Sequence, residues 1–345
     1  MVFSSPHFDG HERVLFWADR DSGLRAIVAV HRVRGGRAVG GCRVRAYRSD
    51  EEALRDVLRL SRGMTYKTAL AELPYGGAKA VVIGDPRTAK TPAALRSLGR
   101  LVDSLGGVYV TAEDVGMAQA DLAVVKQETP WVLGADDVGG PAAPFTALGV
   151  FHALRGALEQ RTGSDAMTGL TVAVQGVGAV GAQLCDLLHA AGARLVVADV
   201  APEAVAAVVA RTGAKVATSE AIHAVAADVF APCALGAGLN ARTIPELRAH
   251  IVAGAANNQL ETAEDGRRLH ARGIAYVPDF LASAGGVING VQELDGYDRD
   301  AVMRRIGELA GTARLVLERA AADDLPAADA AEAIARERMA AERVG

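Results

Sequence analysis

Short runs of β-branched and aliphatic residues alternate along the chain with longer segments in which apolar residues recur at helical spacing. The apolar runs at residues 24–31 and 80–83 predict buried strands, and the pattern over residues 51–71 predicts a helix. Ser49 is the expected cap of that helix, because Glu52 follows at the spacing of a capping box. The alternation is typical of the α/β class, in which helices cover the faces of a sheet.

The second half of the chain has the order of a doubly wound parallel sheet. Strands are predicted at residues 170–175 and 194–199 and near Val216, Val229 and Val252, with helical segments between the first of them. Strands that alternate with helices in this way form βαβ units. Ligands of such sheets bind at the carboxyl ends of the strands.

Glycine and proline concentrate between residues 136 and 144, where we place the connection between two domains. We predict an N-terminal α/β substrate and catalytic domain at residues 1–140, followed by a doubly wound Rossmann domain at residues 146–320. Residues 326–345 are predicted to form a C-terminal helix that returns to the first domain and packs on it.

Composition and charge exclude several classes of function. The 345 residues are 50% hydrophobic and 23% charged, and the net charge is −4, so nucleic acid is not an expected partner. The N-terminus does not resemble a signal peptide, and every long apolar stretch contains charged residues, so we expect a cytoplasmic protein with no membrane partner. Three separated cysteines and eight scattered histidines have no ligand spacing, so we predict no metal site.

Lysine is scarce in this chain, since 32 of its 37 basic residues are arginine. Lys67 and Lys79 nevertheless lie only twelve residues apart, in two unusual segments. Lysine can lose its proton when it is buried or lies close to another cation, whereas arginine keeps its charge. The pair is therefore a candidate for acid-base chemistry, although coding bias also explains the scarcity.

A glycine-rich turn follows the predicted strand at residues 170–175. Gly176, Gly178 and Gly181 have the GxGxxG spacing of a dinucleotide-binding turn, and Asp199 ends the next predicted strand. An acid at that place hydrogen-bonds ribose hydroxyls and repels a 2′-phosphate, so the predicted cofactor is NAD. The alternative is a glycine turn that binds no nucleotide.

Six ordered segments together resemble the amino acid dehydrogenase superfamily of glutamate, leucine, valine and phenylalanine dehydrogenases, and the leucine/phenylalanine branch most closely. The resemblance extends from about residue 24 to residue 297. The segments are residues 40–43, 64–67, 76–79, 111–116, 255–260 and 284–289.

The resemblance implies NAD-dependent oxidative deamination of an L-amino acid to the 2-oxo acid and ammonia, together with the reverse reaction, in a homo-oligomer. It implies that Lys79 activates water, that Lys67 binds the α-carboxylate, and that Asp114 moves protons to and from nitrogen. It places Thr146 and Asn257 at the cofactor. It also implies a set of substrate-binding residues: Val39, Gly40, Gly41, Met64, Ala112, Val287 and Gly290.

Simpler roles remain open for four of these residues. Lys67 could interact with the dipole at the end of its helix, and Asp114 could cap a helix. Thr146 could also be a helix cap, and Asn257 could be an ordinary turn residue.

Two positions indicate the class of substrate. Glutamate dehydrogenases have a lysine where this chain has Val39 and a serine at the place of Gly290, so a glutamate side chain would be buried here without a partner. Leucine dehydrogenases resemble this chain but have leucine at the position of Val39 and valine at that of Gly290. This chain therefore has the smaller residue at both positions. We therefore predict a hydrophobic substrate, with an aromatic amino acid at least as suitable as leucine.

Other interpretations remain. One is a dehydrogenase of specialised metabolism for an atypical amino acid, which departures such as Cys42 and the run at residues 140–144 favour. Another is an inactive NAD-binding regulatory paralogue, which the intact Lys67, Lys79 and Asp114 oppose. A hydroxy-acid dehydrogenase lacks a recognisable His/Asp/Arg set.

Overall fold

The structure is a computed structural model that describes residues 2–136 and 138–341. The chain divides into two compact units. The first consists of Met1–Gly140 and Gly290–Tyr297, and the second of Pro141–Asn289 and Asp298–Gly345. The division after Gly140 lies within the glycine- and proline-rich segment.

The first unit is a six-stranded mixed sheet with helices on both faces. Its strands are β1 (Arg13–Ala18), β2 (Arg25–Arg32), β3 (Ala38–Val39), β4 (Cys42–Arg45), β5 (Gly76–Ile83) and β6 (Tyr109–Val110). Its helices are α1 (Asp50–Leu70), α2 (Pro92–Asp103) and α3 (Gln119–Val125). The strand order is β1-β2-β5-β3-β6, and β4 also pairs with β5. β1, β2 and β5 are antiparallel, whereas β3 and β4 run parallel to β5.

Alternation along β5 decides which side chains face which helices. Ala78 and Ala80 pack in the core beneath α2 and α3, whereas Val81 packs with Val57 of α1. Because successive side chains of a strand point to opposite faces, Lys79 lies on the face that α1 covers. The helix predicted to carry Lys67 is therefore on the same side of the sheet as Lys79.

The second unit is a parallel sheet of six strands in the order β12-β11-β10-β7-β8-β9. Its strands are β7 (Thr171–Gln175), β8 (Arg194–Ala198), β9 (Lys215–Val216), β10 (Val229–Pro232), β11 (Ile251–Val252) and β12 (Ala275–Tyr276). Its main helices are α4 (Ala142–Thr162), α5 (Ala179–Ala190), α6 (Pro202–Thr212), α8 (Ala263–Ala271), α11 (Arg299–Gly307), α12 (Leu309–Ala322) and α13 (Ala327–Ala341), with short helices α7 (Thr243–Glu246), α9 (Asp279–Ala282) and α10 (Gly285–Val291). The strand order reverses between β7 and β10, which confirms the predicted doubly wound fold.

The C-terminal helix differs from its prediction. α13 belongs to the second unit and packs against α12, α8 and β12, instead of returning to the first domain. Its buried face is formed by small residues such as Ala330, Ala331 and Ala335, which allow a close approach to a neighbouring helix. Residues 342–345 of the predicted 326–345 helix lie outside the described residues.

The chain segment that is grouped with the first unit is instead Gly290–Tyr297. Among the described residues, we find no helix with the length and apolar character needed to cross a membrane.

Candidate active site

The centre of the candidate site is a two-residue interruption between β3 and β4 of the first sheet. β3 pairs with the start of β5 through Val39 and Gly77, and β4 pairs with its second half from Cys42 onward. Gly40 and Gly41 are the two residues between these pairings, so they lie opposite Ala78 and Lys79. This glycine pair lies beside the buried lysine, and backbone approaches it closely, since a Cβ added at Gly40 would lie 1.8 Å from the Ala78 carbonyl oxygen.

The loop after β6 brings Asp114 next to this glycine pair. Cys42 donates its backbone N–H to the carbonyl of Ala112 at 2.9 Å, and Val44 donates to Val115 at 2.9 Å, so the loop follows β4. A Cβ at Gly41 would lie 2.1 Å from the Glu113 carbonyl oxygen. Only glycine permits this approach, and the predicted substrate-binding Gly41 therefore also positions the loop.

Lys79 and Asp114 form a buried ion pair. Lys79 is 5% exposed, and its Nζ lies 2.9 Å from Oδ1 of Asp114. Asp114 is not a helix cap, because α3 begins at Gln119 with Ala118 at the N-cap position. The structure therefore brings together the two side chains to which the resemblance gives catalytic roles.

Arg43 contacts the other oxygen of the same carboxylate. Its Nε donates to Oδ2 of Asp114 at 2.7 Å, and its Nη1 donates to Oδ2 of Asp56 at 3.2 Å. Tyr47 donates its hydroxyl to the same Asp56 oxygen at 2.7 Å. Asp114 thus lies between two cations, one on β5 and one on β4.

These cations determine the protonation of Asp114. Burial alone would raise the pKa of this carboxyl group, but the charges of Lys79 and Arg43 and their hydrogen bonds outweigh it and lower the pKa to about 2. Burial raises the pKa of the neighbouring Cys42 thiol to about 12, with a further contribution from Asp114. At neutral pH the site holds a carboxylate beside an uncharged thiol.

Close backbone contact places the end of α1 over Lys79. A Cβ at Gly77 would lie 2.0 Å from the backbone nitrogen of Thr65, so the glycine lets the helix approach β5. Met64 lies beside Gly40, where its Cγ would be 3.3 Å from an added Cβ. Lys67 follows in the last turn of α1 and is half-buried. The glycines at 40 and 77 therefore serve packing between elements.

Two further predicted substrate residues flank the glycine pair. Val39 is buried in β3 between β5 and β6, and Ala112 is half-buried in the loop after β6. Gly40 is also held in place, because Tyr109 donates its hydroxyl to the Gly40 carbonyl at 2.8 Å. Val39, Gly40, Gly41, Met64 and Ala112 thus all lie around Lys79 and Asp114.

Val287 and Gly290 lie three residues apart on α10, so they share a face of that helix. Val287 is half-buried. A Cβ added at Gly290 would meet no atom within 4 Å. No side chain of the described residues fills the space in front of this glycine.

The glycine-rich turn of the second unit has a different geometry at each glycine. Gly176 has φ of +91°, and Gly181 packs so closely that an added Cβ would lie 2.0 Å from the Gly176 carbonyl oxygen. Gly178 is the N-cap residue of α5, and a Cβ there would meet nothing within 4 Å. Open space in front of a helix N-terminus fits a bound pyrophosphate, because the N–H groups there attract an anion.

Asp199 follows β8 and is tied to the same turn. Its carboxylate accepts the backbone N–H of Val177 at 2.7 Å and that of Ala201 at 2.9 Å. Each carboxylate oxygen has a further lone pair, so the residue can also accept a ribose hydroxyl. Asp199 and the glycine turn together form a suitable site for the adenosine half of a dinucleotide.

Thr146 and Asn257 lie elsewhere in the second unit. Thr146 is inside α4, which begins at Ala142, so it is not a helix cap. A Cβ at Gly286 would lie 2.5 Å from its hydroxyl oxygen, which places Thr146 beside the segment at residues 284–289. Asn257 is exposed in the loop after β11, where a turn role and a cofactor role are both compatible with its position.

Sequence reasoning missed the roles of Asp56 and Tyr47 and did not assign one to Arg43. Arg43 is the last residue of the segment at residues 40–43, but nothing in that segment identifies its partners. Among the described residues, no group of three or more His, Cys, Asp or Glu side chains is arranged to hold a metal ion.

Comparison with known proteins gives matches along nearly the whole chain. Residues 11–131 match the family described as Glu/Leu/Phe/Val dehydrogenase, dimerisation domain, and residues 142–202 and 197–343 match Glutamate/Leucine/Phenylalanine/Valine dehydrogenase. Leucine dehydrogenase from Geobacillus stearothermophilus is 46% identical over 332 residues, which cover 95% of this chain and 90% of that protein.

Two other similar proteins are named for different hydrophobic amino acids. Valine dehydrogenase from Streptomyces coelicolor is 43% identical over 340 residues, which cover 97% of this chain and 93% of that protein. The crystal structure of L-tryptophan dehydrogenase from Nostoc punctiforme matches with a TM-score of 0.87 and 41% identity, and the match covers 99% of this chain and 100% of that one.

Proposed function

Because the chain belongs to the Glu/Leu/Phe/Val dehydrogenase family, we propose that it oxidises a hydrophobic L-amino acid to the 2-oxo acid and ammonia with NAD, and catalyses the reverse reductive amination. The enzyme class is an NAD(P)-dependent amino acid dehydrogenase.

The buried ion pair between Lys79 and Asp114 is the observation that carries the proposal. Burial removes the hydration of both charges, and this cost offsets most of their attraction. A buried ion pair is therefore not explained by stability of the fold alone. Here it lies beside the two adjacent glycines, Gly40 and Gly41, where only residues without a Cβ fit. A buried pair of acid-base groups of this kind is suited to proton transfer.

The proposed roles follow from the chemistry of deamination. Bound NAD supplies the acceptor for the hydride that leaves Cα of the substrate. Asp114 accepts a proton from the substrate nitrogen and returns it to the departing ammonia. Lys79 first releases its own proton to solvent, and its neutral amine then accepts the proton of the water that adds to the iminium carbon. Lys67 binds the α-carboxylate.

The preference for NAD is argued from the end of β8. The carboxylate of Asp199 would repel a 2′-phosphate, and Val200, Ala201 and Pro202 provide no cation to neutralise one. The glycine turn that would hold the pyrophosphate makes no such distinction, since both cofactors contain that group.

The proposed substrate is a hydrophobic amino acid with a large side chain. Val39 supplies no cation for a side-chain carboxylate, which argues against glutamate. The open space at Gly290 favours a substrate with a large side chain, because a pocket that lacks a side chain at this position has more volume for the substrate. Phenylalanine and tryptophan are therefore proposed to be used at least as well as leucine.

The experiment is to assay NADH formation with each of the twenty L-amino acids in the wild type and in lysine variants. We expect activity with hydrophobic amino acids and a loss of at least about a hundredfold in Lys79→Ala. Lys79→Arg should be almost as inactive, because arginine keeps the charge but cannot release its proton.

Lys90→Ala is the matched control, since Lys90 also forms an ion pair, but with Asp121 and not with Asp114. Its activity should stay close to that of the wild type. Absence of NADH formation with every amino acid would refute the proposed activity. Activity retained in Lys79→Ala would refute the role of Lys79, and leucine used more than about a hundredfold better than phenylalanine and tryptophan would refute the size argument.

We also propose a homo-oligomer. The region at residues 11–131 matches a family whose description names a dimerisation domain. Light scattering of the purified protein tests this, and a monomer at micromolar concentration would contradict it.

A further inference from the structure

A continuous series of charge contacts extends from the candidate active site into α1. Lys79 contacts Asp114, Asp114 contacts Arg43, and Arg43 contacts Asp56 of α1. Tyr47 ends the series with its hydrogen bond to Asp56. Positive and negative groups alternate along it, so every charge in the series has a partner of opposite sign.

The middle of this series is sheltered from water. The side chain of Arg43 is 10% exposed, and that of Asp114 is 14% exposed. Charge pairs of this burial are screened little by salt, and loss of one member leaves the other without a partner. The contacts therefore constrain the position of the Asp114 carboxylate strongly.

We propose that Arg43 is a positioning residue for the reaction, which holds Oδ2 of Asp114 so that Oδ1 is directed at Lys79 and at the substrate nitrogen. Asp56 and Tyr47 hold Arg43 in turn. This inference rests on the proposed function, because it concerns the geometry of the same acid-base pair.

The geometry of the guanidinium group explains why arginine occupies this position. Nε contacts one carboxylate and Nη1 contacts another, so a single rigid plane connects the loop after β6 with α1. Lysine has a single nitrogen on a flexible chain and would not hold both carboxylates in one orientation. Arg43→Lys should therefore keep the positive charge but hold the Asp114 carboxylate less firmly in its orientation.

The groups that face Asp114 are Lys79 from β5, Arg43 and the Cys42 thiol from β4, and the Tyr109 hydroxyl from β6. Arg43 is a permanent cation among them. Removing it strengthens proton binding by the acid-base groups of the site, because a nearby cation opposes protonation. The acid limb of the pH profile of kcat/KM should therefore move to higher pH.

The test compares Arg43→Gln, Arg43→Lys and Asp56→Asn with the wild type, measuring kcat, KM and the pH profile of kcat/KM with the best amino acid. We expect Arg43→Gln to lower kcat by about tenfold to a hundredfold with a smaller change in KM, because misplacement of a reacting group costs about that much. The acid limb of the kcat/KM profile should move to higher pH by about one unit. Arg43→Lys and Asp56→Asn should lose less of the wild-type kcat than Arg43→Gln.

Arg25→Gln is the matched control, since Arg25 of β2 also pairs with a carboxylate of α1, that of Asp50, but is 55% exposed and lies outside the series. It should retain wild-type kcat and pH profile. The thermal shift caused by NAD checks that each variant is folded, and Asp56→Asn replaces Arg43→Gln as the decisive variant if the latter does not fold.

The outcomes separate the two proposals. Wild-type protein that forms no NADH would refute the proposed function. Active wild type together with an Arg43→Gln variant of unchanged kcat and pH profile would refute the positioning role alone. An equal loss in Arg25→Gln would also refute it, because the effect would then follow from any arginine of this sheet that pairs with α1. A loss of folding stability with unchanged pH profile would assign Arg43 to the fold only.

Discussion

At the scale of single residues, the stability that Asp114 provides depends on its charge. Its folded-state pKa of about 2 lies below the value of about 3.9 expected in the unfolded chain. The stabilisation is therefore fully present above about pH 4 and is lost as the pH falls towards 2. Asp114→Asn removes it and leaves Lys79 and Arg43 without their shared anion.

We expect Asp114→Asn to lower the free energy of unfolding at pH 7 by about 3 to 5 kcal/mol, as is usual when one member of a buried ion pair is removed. Urea unfolding at several pH values measures this. The difference from wild type should stay constant between about pH 5 and 7 and should narrow below about pH 4.

Asp85→Asn is the control for this prediction. Asp85 also has a pKa lowered to about 2, mainly by its hydrogen bond to Arg87, but the pair is exposed. Solvent screens exposed pairs, so this variant should unfold at nearly the wild-type urea concentration. If both variants are destabilised equally, burial does not account for the effect at Asp114.

At the scale of elements, the long periodic segments could be predicted, whereas the short strands β3 and β4 of the first unit could not. The predicted helix at residues 51–71 is observed as Asp50–Leu70, with Ser49 accepting the N–H of Glu52, because local spacing and capping determine it. β3 and β4 are two and four residues long. They exist only through pairing with β5, which is distant in sequence, so local pattern does not predict them.

The same distinction applies to the candidate site. Lys79 and Asp114 can be predicted as site residues because each lies in a segment that resembles a known family. The contact between Arg43 and Asp114 joins residues 71 apart in the chain. It results from the path of the loop after β6 along β4, and no spacing in the sequence indicates that path.

Gly290 of helix α10 is expected to influence the size of the substrate side chain that the enzyme accepts. Gly290→Val adds a side chain where the structure has open space, so we expect it to fold normally and to narrow the pocket. The ratio of kcat/KM for phenylalanine to that for leucine should fall by at least about tenfold, since a few methyl groups in a pocket discriminate by that amount. A panel of hydrophobic amino acids measures the ratio.

Gly311→Val is the matched control, because Gly311 is also a helical glycine, in α12, with nothing within 4 Å of an added Cβ. It should leave the phenylalanine to leucine ratio unchanged. An unchanged ratio in Gly290→Val would show that Gly290 does not border the substrate side chain.

At the scale of the whole molecule, binding of NAD should stabilise the folded protein. A ligand that binds only the folded state at about a hundred times its Kd adds about 2.7 kcal/mol to the free energy of unfolding. A thermal unfolding experiment should therefore show a rise in Tm of several degrees with NAD. NADP should give a much smaller rise, because Asp199 repels the 2′-phosphate.

Two glycines of the turn after β7 separate cofactor binding from folding in this experiment. Gly178→Ala should leave the Tm of the free protein unchanged, because an added Cβ meets no neighbour, but it should reduce the rise caused by NAD by occupying the space before α5. Gly181→Ala should lower the Tm of the free protein, because its Cβ would lie 2.0 Å from the Gly176 carbonyl oxygen. A full NAD-induced rise in Gly178→Ala would mean that the pyrophosphate does not bind at the N-terminus of α5.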